Sequence, residues 1–398
     1  MSERLAVDGG RPVRETFLVF GSPALGEEEI AEVVATLRSG WLGTGPRVRR
    51  FEEEFRAYTG ARHAIALNSC TAGMHLALLA AGIGPGDEVI VPTLTFAATA
   101  NVVVHTGATP ILVDVDRRTM NADPARIEAR LGPRTRAIMP VHFAGRGCDM
   151  ERILAIARPR GIKIIEDAAH AVETVCEGRK VGVIGDATSF SFYVTKNVMT
   201  GEGGMLTTDH DDWAERIRTA SLHGLSLDAW KRYAGSGFKH YEVLLPGFKY
   251  NMMDLQAAIG IHQLARVEAQ AAVRRRIWSS YDEAFADLPA ERPAPEGPGS
   301  IHARHLYTLL LDLERLRVDR DAVLEALKRE GIGTGVHFIA LHLHPYYRER
   351  FSLRPEEFPA ATEISRRTLS LPLSARLTEA DVADVVAAVR KVLLAYAA

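Results

Sequence analysis

The sequence predicts an α/β protein. A large first domain carries a mostly parallel central sheet flanked by helices, and a smaller C-terminal α+β domain follows. Three observations carry this prediction. Between residues 63 and 169, five short apolar runs alternate with helix-patterned stretches, which implies βαβ units and a sheet buried on both faces. After Asn251 the pattern changes to a long helix-rich stretch. A Pro- and Gly-rich loop, ERPAPEGPGS at 291–300, then separates this stretch from a further strand-like run. The expected domains are therefore 1–250 and 251–398.

The elements follow in order. Residues 1–26 read as an irregular arm, while Glu27–Arg38 and Val48–Tyr58 repeat apolar side chains at helical intervals. The strand-like runs are HAIAL (63–67), EVIVP (88–92), PILVDVD (110–116), RAIMPVHF (136–143) and IKIIEDAA (162–169). Helices are expected at Thr71–Ala81 and Met150–Arg158. Two shorter strand-like pieces come next, ATSFSFYV (187–194) and GGMLTTD (203–209). Met252–Asp287 reads as helix, HLYTLLLDL (305–313) as a strand, and Asp319–Glu330 and Thr378–Tyr396 as helices, the first capped by Asp319. In this architecture a site forms where strand C-termini meet the second domain.

Composition narrows the function. Lys and Arg total 48 against 50 Asp and Glu, a formal net charge of −2, so no global field draws nucleic acid or an anionic membrane. The three cysteines, Cys70, Cys148 and Cys176, show neither disulfide nor zinc spacing and suit a reducing compartment. The N-terminus lacks the apolar core of a secretory signal, and no apolar run is long enough to span a bilayer. A cytoplasmic enzyme is expected.

Three segments carry chemistry. The first is SFSFYVTKNVMTGEGG (189–204), where Lys196 stands between an alternating strand and a Gly-rich turn. A lone lysine is ordinarily a solvated surface residue. At a strand end, beside backbone that can approach a ligand, it can form a Schiff base with an aldehyde cofactor. The second is IKIIEDAAH (162–170), an apolar run ending in Glu166-Asp167. Alone, that pair reads as a cap or surface charge. Beside Lys196, Asp167 becomes the carboxylate that pyridoxal phosphate needs against its pyridine nitrogen, so that the ring can accept electrons. His170 can pack on the ring or bond its phenolic oxygen; a structural histidine is the competing reading. The third is NSCTAGMHLAL (68–78), which opens a helix with small and hydroxylated residues, as a phosphate cup does. Ser69 and Thr71 read equally well as simple N-caps. GEGG (201–204) lacks the spacing of a dinucleotide fingerprint, and His342 and His344 lack further ligands at metal spacing, so no metal is expected.

Together these segments resemble the DegT/DnrJ/EryC1/StrS sugar aminotransferases, which have the pyridoxal-phosphate transferase fold of type I. The ordered matches cover nearly the whole chain. They include GWLGTGPRVRRFEEEF (40–55), GDEVIVPTLTFAATAN (86–101), PVHFAGRGCDM (140–150), EDAAHAV (166–172), PGFKYNMMDLQAAIG (246–260) and GIGTGVHF (331–338). The resemblance implies Lys196 as the cofactor lysine, Asp167 as partner of the pyridinium nitrogen and His170 beside the cofactor. It implies Phe96 stacked on the ring and Thr71, Ala72 and Ser191 on the phosphate. It implies Asn251 reaching a phosphate across the interface of a homodimer with shared sites. Trp41 and His337 match positions near the sugar. The segment 226–242 reads as a loop over the sugar nucleotide, with Lys231, Arg232 or Lys239 near the diphosphate, or as a solvated connector.

Two positions depart from the family. Tyr193 stands where His is frequent, three residues before the lysine, and Cys70 stands where Gly or Ala is frequent. Some relatives replace the lysine with His and dehydrate; Lys196 favours transamination. The implied reaction moves the amino group of L-glutamate to a keto group, at C4, of a sugar on UDP, TDP or GDP. A keto-cyclitol acceptor and a cofactor-binding regulator without turnover are the alternatives.

Overall fold

A computed structural model describes residues 4–226 and 241–398. The first five apolar runs become strands β1 (His63–Leu67), β2 (Glu88–Pro92), β3 (Thr109–Val113), β4 (Thr135–Ile138) and β5 (Lys163–Asp167). A short hairpin, β6 (Val175–Cys176) and β7 (Arg179–Lys180), precedes β8 (Ala187–Ser191) and β9 (Gly204–Thr208). Interspersed in the chain are helices α1 (Glu27–Ser39), α2 (Pro46–Thr59), α3 (Cys70–Ala80), α4 (Ala97–His105), α5 (Pro124–Ala129), α6 (Met150–Ala157) and α7 (Asp211–Ser221). The large sheet has the order β1-β9-β8-β5-β4-β2-β3. Its pairs from β8 through β5, β4 and β2 to β3 are parallel, and β9 runs antiparallel to both neighbours. Strands β1 to β5 are largely buried on both faces, which is why these five read as apolar runs, whereas β8 (ATSFS) and β9 (GMLTT) are buried throughout despite their hydroxyl residues.

Several runs continue past their strands. Met139–Phe143, Ala168–Ala169 and Phe192–Val194 lie beyond the C-terminal ends of β4, β5 and β8, with Val141 keeping a single bridge to Asp167. Met139, Val141, Phe143, Ala168 and Phe192 are nevertheless buried, as loop residues. The apolar run records burial, and burial outlasts the strand.

The rest of the chain forms α8 (Asp254–Ala265), α9 (Val267–Ala284), β10 (Ala290–Glu291), β11 (Tyr307–Leu311), α10 (Arg320–Arg329), α11 (Pro345–Arg350), α12 (Pro359–Arg367), β12 (Thr368–Leu371) and α13 (Glu379–Tyr396). A three-stranded antiparallel sheet, β10-β11-β12, holds the small unit together. Asp319 caps α10, its carboxylate accepting from the Ala322 N–H at 2.9 Å.

Packing divides the chain differently from the expected boundary at 250/251. Helix α8 buries Ala257, Ile261 and Leu264 with Phe51 and Phe55 of α2 and with Phe190 and Phe192, in a core of the large unit. The small unit's core begins on α9 at Ile277 and takes in Leu5 from the N-terminal arm. An amphipathic pattern shows that a helix buries one face but not which partner covers it.

Gly204 of β9 decides how α3 sits on the sheet. A Cβ at this position would lie 2.3 Å from the Ser69 carbonyl carbon and 2.5 Å from the Cys70 nitrogen. The backbone at the start of α3 therefore rests directly on the strand. Gly204→Ala is expected to lower unfolding stability by about 1–3 kcal/mol, read from urea titration. An unchanged midpoint would show that the helix start lifts away without cost.

Candidate active site

The site grows from the end of β5. Alternation along a strand sends Glu166 and Asp167 to opposite faces. Glu166 goes to the structural side. It lies 2.9 Å from His142 Nε2 and accepts from the Gly185 N–H at 2.8 Å and the Thr188 hydroxyl at 2.7 Å. Asp167 goes to the other. It accepts from the Thr99 hydroxyl at 2.8 Å and from the Ala169 N–H at 3.0 Å, with Cys70 Sγ 4.0 Å away. Burial pushes the Asp167 carboxyl up, against the pull of the Thr99 hydrogen bond, the Ala169 N–H and the Lys196 charge.

Lys196 follows β8 on the turn toward β9, its N–H donating to the Tyr193 carbonyl at 2.8 Å. The side chain is half-buried. Burial pulls its ammonium down to about 8, with the Asp167 carboxylate opposing the shift. Such an amine gives up its proton near neutral pH, which an exposed lysine does not.

Aromatic rings line the cleft. His170 Nδ1 accepts from the Ala144 N–H at 3.1 Å, so the ring proton sits on Nε2. Burial, then the Lys196 charge, pushes His170 well below the ordinary imidazole range. Its ring lies 6.1 Å from that of Phe338, which lies 6.1 Å from that of Phe96. Phe96 precedes α4 and is 64% exposed, a large aromatic face turned to solvent. His337 Nδ1 is 2.9 Å from Ser370 Oγ, and burial together with the Lys196 charge lowers its pKa to about 4.

At the start of α3 the cap is Ser69, whose hydroxyl accepts from the Ala72 N–H at 3.1 Å; Thr71 lies one turn position inside and is exposed. The first amides of the helix point outward with the positive dipole end. Ser191 pairs with Gly204, the residue on which Ser69 and Cys70 rest, so Ser191 meets the helix start across that glycine. Asn251 bridges to Leu67, two residues before Ser69. Its amide donates to Thr44 Oγ1 at 2.7 Å, and its oxygen accepts from Lys249 Nζ at 2.6 Å. Trp41 Nε1 donates to the Thr44 carbonyl at 3.0 Å, so Trp41 and Asn251 come together around Thr44. Lys231, Arg232 and Lys239 lie outside the described residues.

Some neighbours escaped the sequence reading. Thr99 lies one helical turn from Phe96, a spacing that marks a shared face but not a contact with Asp167. Cys70 donates to the Ser189 carbonyl at 3.4 Å between that strand and Asp167. His305, inside an apparent strand, places its ring 4.5 Å from that of His170, and nothing local marks it. His342 belongs to the fold, with Thr93 and Thr362 hydroxyls 2.8 Å from its two nitrogens. Among the described residues no group of three or more His, Cys, Asp or Glu is arranged for a metal, and no helix is long and apolar enough to cross a membrane.

These residues fit pyridoxal phosphate. They offer an amine that deprotonates readily, a buried carboxylate coupled to it, a bare aromatic face, and a helix start pressed onto Gly204. The pattern of the DegT/DnrJ/EryC1/StrS aminotransferase family matches residues 23–390. The chain belongs to this family. SpsC, a spore coat polysaccharide biosynthesis protein of Bacillus subtilis (strain 168), is 51% identical over 381 residues, 96% of this chain and 98% of that protein. The PLP-form of Spr1654 from Streptococcus pneumoniae superposes with a TM-score of 0.89 at 31% identity, covering 95% of this chain and 99% of that one. Helicobacter pylori PseC, an aminotransferase involved in the biosynthesis of pseudoaminic acid, superposes at 0.88 with 26% identity over 96% and 100% of the two chains. The protein is a pyridoxal-phosphate-dependent transaminase of fold type I, within a family of sugar aminotransferases.

The depressed lysine has a consequence for stability. The folded state resists protonating Lys196, whose ordinary value is 10.5. Below about 8 the amine is charged in both folded and unfolded chains, and the burial cost is fully felt; it fades as pH rises toward 10.5. Lys196→Met is therefore expected to stabilise the cofactor-free protein at pH 7, by up to about 3 kcal/mol. The gain should shrink as pH rises toward the ordinary lysine value. Urea titrations at neutral and alkaline pH read both, and equal stability of the two proteins at pH 7 would rule out a burial cost at Lys196.

Proposed function

We propose that the protein transfers the amino group of L-glutamate to a keto group, at C4, of a sugar carried on UDP, TDP or GDP. The products are 2-oxoglutarate and an amino sugar nucleotide. The observation that carries the reading is a half-buried Lys196, its ammonium lowered to about 8, coupled to Asp167 at the C-terminal edge of the parallel sheet. The sugar is supported by the relatives, SpsC in polysaccharide biosynthesis and PseC in pseudoaminic acid biosynthesis.

Pyridoxal phosphate, when bound, supplies an aldehyde for amines and a ring that takes up electrons. The residues supply the rest. With the cofactor bound, Lys196 would hold its aldehyde carbon and, once free, would carry a proton between that carbon and the substrate's amino carbon. An amine near 8 is matched to both directions of that transfer. Asp167 holds a proton on the ring nitrogen, aimed by the Thr99 hydroxyl and the Ala169 N–H. The Nε2–H of His170 is available to the phenolic oxygen, and Phe96 offers its face to the ring. Thr71 and Ala72 at the start of α3, with Ser191 and Asn251, hold the phosphate. Trp41 and His337 contact the sugar, while Lys231, Arg232 or Lys239 meets the diphosphate. We further propose a cytoplasmic homodimer in which Asn251 serves the neighbouring site; a twofold axis would give two shared sites.

Incubating the holoenzyme with glutamate and a panel of UDP-, TDP- and GDP-linked keto sugars, with mass spectrometry of the products, tests the substrate. Amination of none of them removes the nucleotide-sugar reading. Lys196→Ala should abolish both turnover and the yellow colour of the purified protein, and full activity would end the assignment. Asp167→Asn should lose turnover while keeping its unfolding midpoint; an unchanged rate would mean that another group protonates the ring.

A further inference from the structure

A chain of polar side chains, Arg274, Glu173, Asn197 and His305, joins the Lys196 turn to helix α9, and the chemistry above uses none of the four. Arg274 on α9 and Glu173, between β5 and β6, form an ion pair in which both side chains are buried. The Asn197 amide donates to both Glu173 oxygens, at 3.1 and 3.0 Å, and to the Ala303 carbonyl at 3.0 Å. With its NH2 group committed to those acceptors, its oxygen is the atom 3.1 Å from His305 Nδ1. An amide oxygen only accepts, so His305 carries its proton on Nδ1 and leaves Nε2 bare. His170 has the opposite arrangement, because its Nδ1 accepts from Ala144.

The two imidazoles stand 4.5 Å apart between centroids. The segments that carry them are tied together, the His305 N–H donating to the Ala144 carbonyl at 3.0 Å and the Ala303 N–H to the Gly145 carbonyl at 2.9 Å. His305 is buried, and burial, then the charge on Lys196, holds it well below the ordinary imidazole range.

Stability does not explain this arrangement. Buried ion pairs rarely outperform apolar side chains of similar volume. Here Arg274 Nε is buried without a hydrogen-bond partner. What the pair does provide is a fixed double acceptor for the residue next to the lysine.

We propose that Asn197 is a positioning residue for transamination: clamped by the Glu173–Arg274 pair, it sets the proton position on His305 and ties the Lys196 turn to α9. The proposal rests on Lys196 as the cofactor lysine. Its main readout uses the cofactor-free protein, so it can fail while that reading stands.

The experiment is nitrogen NMR of 15N-histidine-labelled, cofactor-free protein at pH 7, with a His305→Gln sample to identify the His305 signals. The wild type should show a neutral Nδ1–H imidazole at His305, and Asn197→Ala should lose that signature. In the holoenzyme, Asn197→Ala should lower kcat with glutamate roughly 10- to 100-fold, with KM little changed. The double variant Glu173→Leu/Arg274→Met should keep its unfolding midpoint and show the same loss of kcat. An unchanged His305 signature in Asn197→Ala overturns the proposal, and so does an unchanged kcat. If the double variant does not fold, Asn197→Ala, which keeps both charges, still decides.

Discussion

The coupling of Lys196 to Asp167 inside the protein governs the site. In water, two opposite charges a few ångströms apart interact weakly; in a cleft that excludes water the same pair is felt strongly. Burial raises the carboxyl of one partner and lowers the ammonium of the other. Each group would relax toward its neutral form if left alone. The Thr99 hydroxyl and the Ala169 N–H oppose the rise of the carboxyl, and Asp167 in turn moderates the fall of the lysine. The result is an amine that can be either nucleophile or proton carrier near neutral pH.

The fold serves this coupling by controlling which strand ends meet. β5 brings Asp167, and β8, its parallel neighbour, leads to the lysine turn. β9 returns antiparallel and places Gly204 under the start of α3. The start of α3, a carboxylate and an amine thus converge because β5 and β8 end, and β9 begins, on one side of the sheet. The small unit closes the arrangement through α9, whose Arg274 reaches Glu173 in the large unit.

Much of this was legible in the sequence, and the reason differs by element. The parallel sheet was legible because β1 to β5, covered on both faces, are apolar at most positions. The pair Glu166-Asp167 was legible as carboxylates at the end of an apolar run, and the strand's alternation accounts for their opposite faces in the structure. Strand ends were less legible: Met139–Phe143 remains apolar as buried loop, so composition carries no mark where the ladder stops. The domain division was least legible, since α8 presents an ordinary amphipathic face whose partner, α2, lies some two hundred residues earlier.

The sequence by itself determined the local chemistry: which residues can lose a proton, cap a helix, stack on a ring or leave room for close backbone approach. Those properties belong to side chains and their immediate neighbours in the chain. Only the tertiary structure decided the long-range partners: Thr99 on Asp167, Asn197 between Glu173 and His305, His305 against His170, and Leu5 inside the small unit's core. Contacts between distant segments depend on how the elements pack, and an amphipathic or apolar pattern specifies that a face is covered without specifying by what.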